Sequence, residues 1–379
     1  MRNRILWALA FCMFAAPPAF TADLQFNGFA SIVNGIDLED DGNPVAGYNS
    51  DTVNNLQDSK VALQWTANVD DGIRFVGQIM ARGDGDDGYV LKYDWAYFDF
   101  NIGDSGKLKV GKIRTPLYKY SDYLDVGYAY HWITPPQIMY SGIFNNVDGI
   151  GYQFNFETGA LEQSVNVVVG RYQSNSIERT NEFDLRNFIT LNWTATMGDH
   201  EFNAVYAQAD VYFESPGITP AIAGAGAAGI PAADVIVSGD LGQFVGFGYK
   251  GTFGDIAILT EYKIVTVQDS IIADEESGGY VGATYNMGDY TYHLTYEFGT
   301  TKAQTYSQAG GAFQPTADSV GGEGDAFAII VGARRDIGIS SALKVELTSQ
   351  TNDQATLTSG GAQIEETALI LKVALETMF

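Results

Sequence analysis

Few residues in this chain have the chemistry of a catalytic centre. Its histidines are His131, His200 and His293, and Cys12 is its single cysteine. A hydrolytic site needs a histidine poised beside a serine, a thiol or an acid. His293 sits between Thr291 and Thr295 with no serine motif around it, and no glycine loop has phosphate-cradling spacing, so no enzyme is expected. The charged residues say more. Lys60, Arg74, Arg82, Arg186, Lys250, Lys263, Lys344 and Lys372 fall on the polar phase of alternating segments. Lys112 and Arg114 open a long segment that carries Lys119, Asp122 and Asp125. A basic wall facing acidic loop residues across a narrow aqueous slot makes a transverse field that sets ion preference. A wet interior that tolerates charge at any position is the competing account of the same residues.

Two further clusters lie in presumptive loops. Acids gather at Asp37, Glu39, Asp40 and Asp41, at Asp84, Asp86 and Asp87, and at Asp274, Glu275 and Glu276. Solvated loops are the plain account. Loop-bound Ca²⁺ or Mg²⁺ bridging to lipopolysaccharide phosphates is the functional alternative. Tyr118, Tyr120, Tyr123, Tyr128, Tyr130 and Trp132 form an aromatic series in the long segment; packing of a folded loop is the expected role, with a sugar-stacking track as the alternative.

The elements that must position these residues are strands. Lys60, Ala62, Gln64, Thr66 and Asn68 alternate with Val61, Leu63, Trp65, Ala67 and Val69. Val90–Ile102, Glu182–Met197, Glu201–Phe213 and Thr367–Phe379 all run past ten residues. Strands of soluble domains average about five or six residues, whereas a tilted bilayer-crossing strand needs roughly 9–11. Tight Asp/Gly turns at 70–72, 104–106, 158–160, 198–199, 254–255, 288–289 and 336–338 alternate with long stretches at 34–58, 83–88, 114–145, 173–181, 214–239, 268–276, 300–324 and 351–361. Seven turns and eight loops require sixteen strands. The series Tyr290, Tyr292, Leu294, Tyr296 and Phe298 puts aromatics at both ends of an apolar face, as at membrane interfaces. In the final strand Leu369, Leu371, Val373, Leu375 and Phe379 share one parity, and Lys372 and Glu376 share the other. A closed transmembrane antiparallel β-barrel satisfies every backbone group in hydrocarbon, so this strand should pair with the first, near Leu24–Val33.

Residues 1–22 read as a cleaved signal peptide, with Arg2 and Arg4 before the apolar run Ile5–Phe14, and residues 23–379 as a single barrel domain. Loss of Cys12 with that peptide leaves no disulfide framework and no thiolate metal site. No later segment has 18 consecutive apolar residues, which excludes a helical membrane protein. The net charge of −25 excludes nucleic acid as a partner.

The start Leu24-Gln25-Phe26-Asn27-Gly28-Phe29, the run Gly106–Leu117 leading into the third long loop, and the C-terminal Phe379 resemble the Gram-negative porin family. The resemblance covers essentially the whole mature chain in plan. It implies a sixteen-stranded homotrimer in the outer membrane, embedded among lipid and lipopolysaccharide. It further implies a water-filled pore for small hydrophilic solutes and ions, narrowed by an inward third loop at 114–145. Phe379 is similar to the signal read by the barrel-assembly machinery. One departure stands out: the acidic, glycine-rich constriction motif of enterobacterial general porins is replaced by Tyr118-Lys119-Tyr120-Ser121-Asp122-Tyr123-Leu124-Asp125. Solute preference therefore does not carry over, and a substrate-selective channel for an anion or sugar, or a non-conducting adhesin or anchor, stands as the alternative.

Overall fold

Alternation of polar and apolar side chains over a dozen residues lets a strand present one wet and one greasy face. Sixteen such strands form in the computed structural model: β1 (Leu24–Asp37), β2 (Lys60–Asp70), β3 (Ile73–Asp84), β4 (Gly88–Ile102), β5 (Gly106–Arg114), β6 (Asn146–Thr158), β7 (Leu161–Gln173), β8 (Glu182–Met197), β9 (His200–Glu214), β10 (Val237–Phe253), β11 (Ile256–Val267), β12 (Glu275–Met287), β13 (Tyr290–Lys302), β14 (Gly324–Ile337), β15 (Ser341–Gln354) and β16 (Glu366–Met378). The structure describes residues 23–39, 47–84, 88–140, 144–174, 182–214, 236–268, 275–302, 323–354 and 366–379. The expected signal peptide at 1–22 and the loop acids Asp40, Asp41, Asp86, Asp87 and Asp274 lie outside them.

Each strand pairs antiparallel with its sequence neighbours, and β1 pairs with β16 to close the barrel. The seven short turns join strand pairs at one end, and each holds a glycine with φ between 57° and 73°. Glycine adopts that conformation at no steric cost, which is why Asp/Gly chemistry marked the turns. The connection at 83–88 is the exception to the expected alternation of short and long. The β3–β4 ladder continues to Asp84↔Gly88, so that link is itself brief.

The barrel is inverted relative to a soluble core. On β13, Leu294 is 54% exposed while its neighbour Thr295 is 0% exposed. Apolar side chains cover the outer wall and polar ones line the interior, the arrangement a closed barrel needs in hydrocarbon. No helix among the described residues is long and apolar enough to cross a membrane.

The seam is built on Gly28 and Phe379. The Phe379 N–H donates to the Gly28 carbonyl at 2.9 Å, and the Gly28 N–H donates to the Phe379 carbonyl at 2.7 Å. The Phe379 ring lies over Gly28, where a β-carbon would collide with it. Gly28→Val should therefore displace the ring and destabilise the seam by about 1–3 kcal/mol, the usual cost of overpacking. The check is the yield of the fast-migrating folded band on an unheated gel after refolding. Wild-type yield from Gly28→Val would show that the seam does not depend on this contact.

Candidate functional site

Beyond β5 the chain turns into the barrel. It forms two single 3-10 turns, Ser121–Tyr123 and Gly127–Ala129, and one short helix, α1 (Gln137–Tyr140), which lies against β11, β12 and β13. This segment has little regular structure, so its peptide groups need partners from elsewhere. Side chains of the wall supply them. Carboxylates accept loop N–H groups: Glu261 from Lys119 at 2.9 Å, Glu346 from Ile133 at 3.0 Å and Glu297 from Met139 at 3.0 Å. Cations donate to loop carbonyls: Lys344 to Gly127 at 2.8 Å and Trp132 at 2.5 Å, and Arg334 to Tyr128 at 2.7 Å and Tyr130 at 2.9 Å. Asn192 on β8 donates to the Pro116 carbonyl at 2.9 Å.

The loop aromatics finish the docking. Tyr118, Tyr120, Tyr130 and Trp132 are buried, in one cluster with Phe244, Leu259 and Tyr280 of the wall. Trp132 Nε1–H donates to Thr295 Oγ1 at 3.0 Å, and the Tyr140 and Tyr280 hydroxyls both reach Glu261. Packing is thus the role of these four aromatics. Tyr123 remains 37% exposed, and Tyr128 stacks on the Arg334 guanidinium at 4.6 Å.

The charged residues singled out in the sequence separate into three groups. Asp125 is buried between Arg82 at 2.7 Å and Arg114 at 2.9 Å, while Asp122 is exposed. Arg114 also donates to the Ser121 carbonyl at 2.7 Å and lies 3.7 Å from Asp94, a bulge residue of β4. Lys119 pairs with Glu201 of β9. Lys60, Lys263, Lys344 and Lys372 are buried inside, with Lys344 on Glu376 at 2.6 Å, Lys263 on Glu276 at 2.6 Å and Lys372 between Asp58 and Glu346 at 3.5 and 3.6 Å. Arg74 pairs with Asp99 near the short turns, and Lys250 faces a cavity beneath the loop.

Two of the residues expected inside point out. Lys112 is in register with Ala96 and Asp148, on the face of Val110 and Ile150, and its ammonium donates to the Tyr93 carbonyl at 2.9 Å. Parity from Leu108 and Val110 places it outside, and places Lys107 and Lys109 inside, where sequence reading had not put them. Arg186 shares Phe188's parity in the sequence, but a bulge at Asn187, with φ of 53°, shifts the register by one. Arg186 consequently stacks on Tyr212 at 3.9 Å and joins Arg171 on Asp184 on the outer wall. Three of the described loop acids are committed. Asp37 accepts the Leu369 and Glu39 N–H groups, Glu275 pairs with Lys302, and Glu276 pairs with Lys263. Among the described residues no group of three His, Cys, Asp or Glu could hold a metal.

The loop is held by wall residues from β3 round to β16, and Lys107, Lys109 and Asp122 are not among the side chains that anchor it. Lys107 is in register with Gln153 and Asn166, Lys109 sits over Tyr97 at 5.4 Å, and exposed Asp122 lies near Tyr97. His131 and His293 meet edge to face at 4.9 Å, with His293 Nε2 4.0 Å from Glu346; neither is hydrogen-bonded to a serine among the described residues.

Neither a family model nor a curated protein matches the chain by sequence. Solved structures do match by shape. The outer membrane channel DcaP of Acinetobacter baumannii aligns with a TM-score of 0.63 at 12% identity, covering 96% of this chain and 99% of that one. The anion-selective porin from Comamonas acidovorans aligns at 0.58 and 14% identity, covering 94% and 100%. Salmonella typhi OmpF, in complex with daunomycin, aligns at 0.57 and 14% identity, covering 94% and 98%. The fold is thus that of the outer-membrane porin barrels.

Two loop groups make docking sensitive to acid. Burial, then His293 and Lys344, hold the His131 pKa well below its ordinary value. Burial works to raise the Asp125 pKa, but Arg114, Arg82 and Lys60 outweigh it and hold the carboxyl well below the usual range. A depressed folded pKa gives stability that is complete above the unfolded value and is lost as pH falls below it. Loop docking should therefore weaken first below about pH 6.5 through His131 and again below about pH 3.9 through Asp125. Protease nicking of residues 115–140 against pH checks this. His131→Phe should remove the upper step and keep the lower, and a profile unchanged by His131→Phe would refute the assignment.

Proposed function

We propose that the chain is an outer-membrane porin, a water-filled channel through which small hydrophilic solutes and ions diffuse. The observation that carries this reading is the closed barrel with an apolar exterior, a polar interior and the third long loop folded into the lumen. A helix bundle or a soluble sandwich has no use for that inversion. The loop is bolted by ion pairs to Arg82, Arg114 and Glu201 and by backbone hydrogen bonds to Glu261, Glu297, Glu346, Lys344 and Arg334, so the lumen side chains left to act on a permeating ion are Asp122, Lys107 and Lys109. Among the shape relatives, one is titled an outer membrane channel and another an anion-selective porin; the same general role is proposed here, without their solutes.

The reading extends to cellular context. Residues 1–22 direct export, Phe379 engages the barrel-assembly machinery, and the barrel sits among outer-membrane lipid and lipopolysaccharide as a homotrimer. Passive diffusion needs no cofactor, and rate follows from pore radius and wall charge.

Purified protein in a planar bilayer should give discrete current steps; a silent bilayer at high protein load would end the pore reading. In a salt gradient at low ionic strength, where the screening length exceeds about 10 Å, Asp122→Asn should move the reversal potential towards anion preference. Lys109→Ala should move it towards cation preference, while Lys112→Ala on the outer wall leaves it unchanged. Equal shifts from Lys109→Ala and Lys112→Ala would contradict the proposed path.

A further inference from the structure

Under the docked loop, towards the short turns, the inner wall of β10 to β14 encloses a cavity of about 260 Å³. Its roof is formed by Tyr120, Tyr123, Tyr130 and His131 of the loop. Thr252, Thr284, Asn286 and Thr291 line its sides, with Ala257 and Leu259 as apolar surface. Two cations, Lys250 and Arg334, and one carboxylate, Asp336, reach it.

The charges around the cavity are unequally committed. Arg334 is paired with Asp336 at 2.7 Å and donates to two loop carbonyls. Glu201 is the register partner of Lys250 across β9 and β10, but it is taken by Lys119. Each nearby acid is thus matched, and Lys250 has no ion pair or hydrogen-bond partner among the described residues. One positive charge is left over in a concave, partly aromatic space. His131 adds an independent observation: it is 9% exposed, and its Nε2 is buried without a hydrogen-bond partner. The roof therefore carries a polar group that docking of the loop does not use.

We propose that this cavity binds a small organic anion with a planar ring, its carboxylate on the Lys250 ammonium and its ring beneath the tyrosines. The chemistry selects this class. A strongly hydrated inorganic anion needs several converging cations to replace its water, and here one is free. A carboxylate is satisfied by one ammonium and the threonine hydroxyls beside it. A planar ring gains from the tyrosine faces and the apolar patch at Ala257 and Leu259. The volume is that of about nine waters at roughly 30 Å³ each, enough for a single ring and too small for two linked sugars.

The proposal rests on the pore reading only in that solutes must reach the lumen, so the experiment measures binding without a membrane. Calorimetric titration of the full-length purified barrel in detergent would use benzoate, benzylamine and inorganic phosphate as probes. Benzoate should bind saturably, benzylamine and phosphate should not, and Lys250→Met should weaken benzoate by about tenfold or more. Tyr123→Leu should weaken it by a smaller factor, and Lys112→Met should match wild type. Each variant is used only if it retains the folded band on an unheated gel. Unchanged benzoate affinity in folded Lys250→Met overturns the proposal, as does phosphate binding as tightly as benzoate. Conductance without benzoate binding defeats this inference alone; benzoate binding without conductance defeats the pore reading alone.

Discussion

A peptide segment that crosses the inside of a barrel has no ladder to join. The walls already spend their own N–H and C=O groups on one another. An unpaired buried peptide group costs about 1–3 kcal/mol, so where the tight turns of residues 115–140 leave peptide groups unpaired, wall side chains stand in for strand neighbours. Glu261, Glu297 and Glu346 act as acceptors, and Lys344 and Arg334 as donors. Acid and base appear on the wall together because a peptide chain presents both kinds of group. The buried charges also pair with each other, which offsets the desolvation cost of bringing them inside.

That division of labour changes how the interior charge is understood. Most of the lysines, arginines and glutamates inside are fastened to the loop or to one another, so they shape the passage more than they act on what passes. Asp122, Lys107, Lys109 and Lys250 stand apart from those networks among the described residues. In the proposed pore, ion preference would then depend on a few side chains, not on the overall excess of acid over base.

The architecture was legible because its signals are periodic. Alternation, strand length and glycine turns are local properties, and they mark the ends of Glu182–Met197 to the residue and those of the other three long segments to within two. The seam at Phe379 followed from the need to close the barrel, and parity placed its ring on the outer face. The site was less legible for a specific reason: parity fails at an inserted residue. Asn187 turns Arg186 outwards, and nothing in the alternation of Phe188, Thr190 and Asn192 announces it. Lys112 was misplaced although Leu108 and Val110 carried the needed phase. The lumen parity of Glu297 and Glu376 was readable, but the backbone groups that Glu297 serves belong to a segment far away in sequence. A loop's fold is a long-range property that no local pattern encodes.

The outward turn of Arg186 and Arg171 has a consequence for the surroundings of the barrel. On β7 the apolar exterior runs only from Val165 to Val169 before Arg171, whereas on β13 it runs from Tyr290 to Phe298. That is two outward positions fewer, roughly 13 Å along a strand at about 3.3 Å per residue. A bilayer meeting the β7 wall encounters hydrophobic mismatch there. It must thin there, or the barrel must lean to level its belt. A collar of uneven height gives an otherwise round object a front and a back, and so a preferred heading relative to its neighbours in the membrane plane.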